Sequence, residues 1–507
     1  MASSIPRSVG AKDVADTVTG LTGGGSTLPS VPKDLASRQM CCAMHLHPPL
    51  AAQVLLHYSI DNPKAWCPPF GVDAVALVRH AQAADTHWRK LYGGVALTRY
   101  SLLGLVALGT FLLWRDGLVT ALLSLPLIAV ACGVGWHTTF LSLQETRAAA
   151  IGTMAEEKAL AAQAPEVDSD LEDELAALQD ANMIVFDVFA DSPFVGSGTE
   201  IGRWALAPID VSRSREQNRD GTRPPATFSV RELHDDLIRL ARSRLGLSDI
   251  EVTKRIYVRG DVLPDCEGLF HPDEVRPPSR LETSWVDLGS DAPGDQARTY
   301  VCLAKSLVGG QIVVTLFARY TLELGILSCE FAAFVLPPVL RDSAPATGFY
   351  GLFGEDLSPL HGRSTTWALA IAAWRTYIAE LFLRSDRGID LARAHEDRAQ
   401  EHYEALEEGR RYDYGAPFSA RELAATTSIE SYFEVADVRD CLLRMQRGVI
   451  DCLVAFLTDK GIDTSEIAAG RQRIINNITN IGEVSGRGNI FGNHGRMSNV
   501  YRDEQSD

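Results

Sequence analysis

The chain has 507 residues, of which 46% are hydrophobic and 22% charged, and a formal net charge of −17. That length exceeds one compact core, so two or more structural units are expected. The acidic balance argues against nucleic acid as a partner, because neutralising phosphates needs a basic face.

Residues 1–33 form a polar tail without an apolar signal-peptide core. Residues 34–91 carry apolar positions at helical spacing, with a break at Pro48-Pro49. Within them, "CCAMHLH" brings Cys41, Cys42, His45 and His47 together. Such side chains could hold a soft metal, but on a helix only Cys41 and His45 share a face. Core cysteines with boundary histidines are the expectation. The nine cysteines are odd in number, scattered and without a C-x-x-C pair, which points to reduced, mostly buried thiols.

Residues 92–143 contain the most informative pattern. Tyr100 to Trp114 has no charged residue, Arg115-Asp116-Gly117 follows, and Leu118 to Leu143 is again uncharged. Crossing the hydrocarbon core takes roughly 20 apolar helical residues. The second run is long enough, and the first becomes so if it starts near Leu91 with Arg99 snorkelling. Tyr100, Trp114 and Trp136 sit where interfacial aromatic rings are expected. The pattern predicts a transmembrane helical hairpin. Arg79, Arg89, Lys90 and Arg99 before it, with Arg147 and Lys158 after it, place both termini in the cytoplasm of a multi-pass plasma-membrane protein.

Residues 144–180 read as an acidic juxtamembrane connector, a stalk interrupted at Pro165. Residues 181–345 read as a cytoplasmic α+β domain with a mainly antiparallel sheet. Ile184–Phe189 and Arg203–Ile209 look like strands. Ser229 caps a helix and Glu232 completes a capping box. Three later strands include a pair joined at Gly309-Gly310. Gln311–Leu336 is not a further span, because Arg319, Glu323 and Glu330 interrupt it.

Residues 346–475 read as a helical C-terminal region. A long helix over 364–409 holds the apolar "TTWALAIAAWRTYIAELFL", where Arg375 and Glu380 argue against a third span. This segment is expected to pack on the domain or lie along the membrane. Ser431–Lys460 is an amphipathic helix with a stripe from Tyr432 to Phe456 and a stop at Gly461. That stripe is the expected surface for a homo-oligomer or protein partner. A short capped helix follows from Asp463. Residues 476–507 form an Asn/Gly-rich flexible tail, which could alternatively stack as an amyloid-type assembly motif.

The order of these segments is shared with a known group. "RHAQAA" precedes a two-span hairpin, followed by "DSPFVGSGTEIGRWALAPID", "VTKRIYVRG", an "RPP" loop, "FVLPPV" and "FLTDKGIDTSEI". The chain resembles two-pass membrane proteins of high-GC actinobacteria that have no established activity. The resemblance implies two transmembrane helices and cytoplasmic domains, and carries over no catalytic residue.

Two loops are candidate sites. In the first, Asp191 precedes Gly196-Ser197-Gly198, with Gly202 beyond. A dinucleotide fingerprint has different glycine spacing and opens a helix, and a Walker loop needs a lysine, so a hairpin-type turn between the flanking strands is expected. Phe194 and Asp191 would then stand exposed toward a partner. In the second, Asp265, Glu267, His271, Asp273 and Glu274 could surround a divalent cation, although known metal-loop spacings are missing. No catalytic set, cofactor motif or metal site is expected. The overall reading is a non-enzymatic integral membrane protein with a cytoplasmic binding or scaffolding domain and the lipid bilayer as partner. The alternatives are a stress or conflict effector with an assembling tail, and a membrane-bound enzyme using the loops at 191–202 and 265–274.

Overall fold

A computed structural model describes residues 32–117, 122, 124–155, 159–214, 225–266, 268–270, 274–291, 294, 296–339, 363–383, 391–426, 429, 431–465 and 467. The tail at 476–507, with its flexible and assembling readings, lies outside these residues, as does most of the helix expected after Asp463. The fold is mixed α+β: two long apolar helices precede a mainly antiparallel sheet, and further helices follow it.

The N-terminal helices are α1 (Leu35–Leu46), α2 (Pro48–His57) and α3 (Ala74–Asp116). The break falls at His47, whose ring caps α2 by accepting from the Leu50 amide, with proline in the first turn where its missing N–H costs nothing. Asp73 caps α3, which then runs without interruption through the first apolar segment. After the turn, α4 (Ser124–Thr153) returns beside α3. Gly109 meets Ser124, and Gly135 meets Thr98, so the two helices run antiparallel. Buried Arg38 donates to the Thr153 and Ala155 carbonyls, a cation at a helix C-terminus.

Instead of standing clear as a stalk, the acidic connector packs onto the helices. Its helix α5 (Ser169–Ala177) buries Leu175 in the core cluster that also holds Leu77, Val78 and Trp88. Arg79 grips both oxygens of Glu172, at 2.7 and 2.6 Å. Within the acidic run, Glu172 is thereby neutralised by arginine.

The strands are β1 (Met183–Phe186), β2 (Thr199–Ala205), β3 (Ile209–Asp210), β4 (Glu251–Arg259), β5 (Ala297–Leu307), β6 (Ile312–Glu323) and β7 (Ile326–Leu336). They form one sheet in the order β1-β4-β5-β6-β7-β2, with β3 also on β7. All pairs are antiparallel except β1 with β4. The β5–β6 turn uses Gly309 and Gly310 at φ +64° and +82°, the left-handed backbone such hairpins demand. Gln311–Leu336, as expected, supplies two strands.

Two expectations about the glycine loop need correction. β1 and β2 are not hairpin neighbours; they lie at opposite edges of the sheet. The intervening chain crosses the sheet face. Phe194 is consequently buried, not exposed: it stacks on Phe317 at 4.0 Å and meets Tyr257, Tyr300 and Phe334 edge-on. One ring thereby touches four consecutive strands, β4 to β7. Phe189, assigned to a strand in the sequence, lies past the end of β1 and is 91% exposed.

Both sheet faces are covered, which explains the nearly continuous apolar runs of β5 to β7. Alternate residues divide between them: Val301, Leu303, Val314, Leu316 and Phe331 on one side, Tyr300, Cys302, Phe317 and Phe334 on the other. The first face packs against α6 (Val230–Arg244), and α7 (Thr283–Asp291) lies beside it. Ser229 Oγ accepts from the Glu232 amide at 3.2 Å, as the capping motif requires. Glu232 itself turns to Lys460 at 2.8 Å.

The expected helix at 364–409 is described as α8 (Arg363–Leu383) and α9 (Leu391–Glu407). The short α10 (Ala420–Leu423) and the long α11 (Tyr432–Asp459) follow. α11 ends in a Schellman motif: Gly461, at φ +78°, donates to Thr458, and the Ile462 amide reaches Leu457. Its stripe from Val438 to Phe456 is buried against the sheet and α6. Tyr432, expected to belong to that stripe, is 81% exposed, because the helix begins beyond the sheet's cover.

Candidate functional site at the glycine loop and the inner end of the hairpin

The Gly196–Gly198 loop does hold a carboxyl group, and that group belongs to the chain. The Gly198 amide donates to Glu422 Oε1 at 2.8 Å, and the amides of Gly196 and Ser419 also face this carboxylate. Successive N–H groups of this kind make a concave nest for negative charge. Burial raises the Glu422 carboxyl above its usual range, and the three amides oppose that rise. Gly198 has no alternative residue here. Its φ is +82°, and a Cβ would stand 2.4 Å from the Val335 carbonyl oxygen.

Beside Glu422, the guanidinium of Arg421 is fully buried. Its Nη2 donates to the carbonyls of Gln311 and Pro337, each at 2.7 Å. Burial lowers its pKa to about 9, while Glu422 acts in the opposite sense. The pair ties α10 to the loop, to β7 and to the end of the β5–β6 hairpin. The loop thus works as an internal latch. Gly202, the last glycine of the pattern, marks a bulge where β2 slips against β7.

The other sequence candidates separate. Asp191 is exposed. Asp265 forms an exposed ion pair with Arg411 at 2.8 Å. Glu267, His271 and Asp273 lie outside the described residues. Among the described residues, no group of three His, Cys, Asp or Glu side chains is placed to hold a metal ion. The nine cysteines are free thiols, seven of them buried.

A cavity of about 600 Å³ opens elsewhere, beside the first half of α3 and the C-terminal end of α4. His45, His80, His87, Thr86, Lys90 and Gln163 supply its polar groups. His80 Nε2 donates to the Leu160 carbonyl at 3.2 Å, which leaves Nδ1 bare to accept from His45 Nε2 at 3.0 Å. His45 Nδ1 is then also bare, and among the described residues it has no hydrogen-bond partner. Burial, with His80 and His87 nearby, lowers the His45 pKa to about 3, and burial also lowers that of His80. Both rings are neutral near pH 7, in one fixed tautomeric order. His45 is a core histidine and not a boundary one, at 2% exposure.

A third polar group surrounds the C-terminal ends of the parallel pair β1 and β4. Lys64 lies 3.6 Å from Asp187 and 3.7 Å from Asp413, over the Tyr412 ring. Asp413 accepts from the amides of Val188 and Gly415, while burial raises its carboxyl. His402 and Tyr414 share a 3.0 Å hydrogen bond nearby. Neither this cluster nor the His45–His80 pair carries a local motif. Each joins residues from distant segments, so no spacing in the chain announces it.

The fold and these sites define a sheet-based α+β protein joined to two helices that are long and apolar enough to cross a membrane. The AbeC-like domain family model matches residues 203–494, which is more than half of the chain, and the chain belongs to that family. No curated protein and no solved structure matches it.

Proposed function

We propose that this is a two-pass membrane protein whose AbeC-like domain works on the cytoplasmic side as a binding or scaffolding platform. One observation carries the reading. Leu97, Leu103, Val106, Phe111 and Trp114 on α3, with Leu125, Leu127, Val130, Val134 and Leu141 on α4, are each at least 45% exposed. In the apolar windows of the two helices only 11% and 17% is buried within the molecule. A soluble protein rarely leaves an apolar belt of that extent bare, whereas hydrocarbon covers it at no cost.

Arg79, Arg89, Lys90 and Arg99, which precede the apolar run within α3, support cytoplasmic termini. A protein partner or second copy recruited through the C-terminal helices would meet Tyr432 and Phe433, because the rest of the α11 stripe faces the sheet. The enzyme reading asks the loops at 191–202 and 265–274 to share a pocket; the cavity described above is lined by neither.

Alkaline extraction of membranes containing the full-length chain tests the proposal. The protein should stay in the pellet, and Leu103→Arg should release a substantial fraction. A central arginine costs roughly 2.5–3.5 kcal/mol of insertion free energy. Release of the wild-type chain without detergent ends the reading.

A further inference from the structure

The two apolar helices do not meet the surroundings alone. Helix α8, far away in the chain, packs along them. The Trp136 indole donates to the Ala370 carbonyl at 3.2 Å. The Tyr377 ring lies over Gly135, where an added Cβ would stand 2.6 Å from the ring and 2.8 Å from Thr98. The missing side chain at 135 is what lets a third helix approach both helices of the hairpin, the small-residue contact that membrane helices use.

Leu369, Ala372, Ala373 and Tyr377 form the inner face of α8 and are buried. The outer face is apolar as well: Trp367, Ile371 and Trp374 are 74%, 54% and 51% exposed. A helix apolar on both faces belongs in a protein core or in lipid. Among the described residues, nothing covers the outer face. Its depth follows from the Tyr377 contact. Thr98 lies about 24 Å along α3 from Trp114 at the helical rise. With Trp114 at one boundary of a core roughly 30 Å thick, that level falls just inside the other boundary. Exposed Arg375 then sits where its guanidinium reaches the headgroups while its stem stays among apolar groups. Paired tryptophans and a basic residue at this depth are the anchoring set of an interfacial helix.

We infer that α8 is a membrane contact in its own right: its Trp367–Ile371–Trp374 face lies in the cytoplasmic leaflet, against acyl chains just below the headgroups. This rests on the two-pass reading, since it uses the hairpin as its depth gauge. The anchor therefore includes part of the AbeC-like domain and not the hairpin alone. The domain is held at the membrane surface by its own helix.

Full-length protein reconstituted in nanodiscs made with bromine-labelled phosphatidylcholine tests this by tryptophan quenching. The substitutions are conservative and the target side chains exposed, so folding is preserved; circular dichroism checks it. The double variant Trp367→Phe/Trp374→Phe should lose about half of the lipid-quenchable emission, because it removes two of the four indoles, Trp114, Trp136, Trp367 and Trp374, that the hairpin and α8 place at membrane depth. Trp367→Phe alone should lose a smaller part, which guards against any effect of Trp374 on Tyr377. Bromines placed near the headgroup should quench these indoles more strongly than bromines near the chain terminus. If the double variant instead loses only emission quenched by aqueous iodide, the inference is overturned. Trp114→Phe separates the two claims. Unchanged lipid quenching in Trp114→Phe would overturn the hairpin reading. A loss there with none in the double variant would overturn the α8 inference alone.

Discussion

The hairpin and the sheet are built from the same side chains and treat them in opposite ways. Leu303, Leu316 and Phe317 in the sheet are at most 1% exposed, whereas Leu103, Phe111 and Leu125 on the apolar helices are 60%, 48% and 55% exposed. Composition does not separate the two regions; cover does. The sheet's apolar faces are closed by α6 and α11 on one side and by the loop carrying Phe194 on the other. Among the described residues, the hairpin helices are covered only in part, by α1 and α8. On the proposed two-pass reading, lipid supplies the missing cover.

Identical truncations in the two regions should break the symmetry most strongly. Phe194→Ala removes a ring that meets four strands, and should destabilise the domain by about 3–5 kcal/mol. Phe111→Ala should cost the fold under about 1 kcal/mol, because its ring gives up little protein contact. Denaturant unfolding in detergent micelles measures both, and near-equal losses would mean that the hairpin is packed like a core.

Acid should act on the buried side of the comparison. Burial lowers His45, His57 and His234 to about 3, against an ordinary value near 6.5. Their neutral forms favour the folded state, so the contribution is full above pH 6.5 and is lost as pH falls toward 3. At pH 5.5 each should already cost about 1.4 kcal/mol. Thermal melts at pH 7.5 and 5.5 would register the loss, and His234→Gln should flatten its share. The bare apolar belt of the hairpin has no part in this, so membrane retention should be unchanged over the same range.

The smallest expected effect concerns a helix end. Ser229→Ala removes the cap of α6 and should cost about 1 kcal/mol, read in the same denaturant titration. Extraction behaviour should not change, because α6 covers the sheet and not the hairpin.

The legible parts of this fold are those with short-range causes. The hairpin is written as two uncharged runs around Arg115-Asp116-Gly117. The Ser229 cap, the Gly309-Gly310 turn and the Gly461 stop are each settled within a few residues of chain, and each is found in the structure. The glycine loop shows the limit of such reasoning. Its residues are those of a nest of amide groups, and it lacks the lysine and the following helix of the known phosphate motifs. Nothing near it in the chain announces Glu422, more than two hundred residues away, as the carboxyl it holds. Phe194 was misplaced for the same reason: a lone aromatic in a polar loop looks exposed until the face it crosses is known.

By itself, then, the chain determined its helices, most of its strands, its stops and two helices long and apolar enough to cross a membrane. These follow from periodicity, capping and hydropathy, whose energies act between near neighbours. Only the tertiary structure decided that β1 and β2 lie at opposite edges, that His45 pairs with His80, that Glu422 fills its own loop, and that α8 leans on the hairpin. Those outcomes depend on which distant surface covers which side chain, and burial is a property of the assembled molecule.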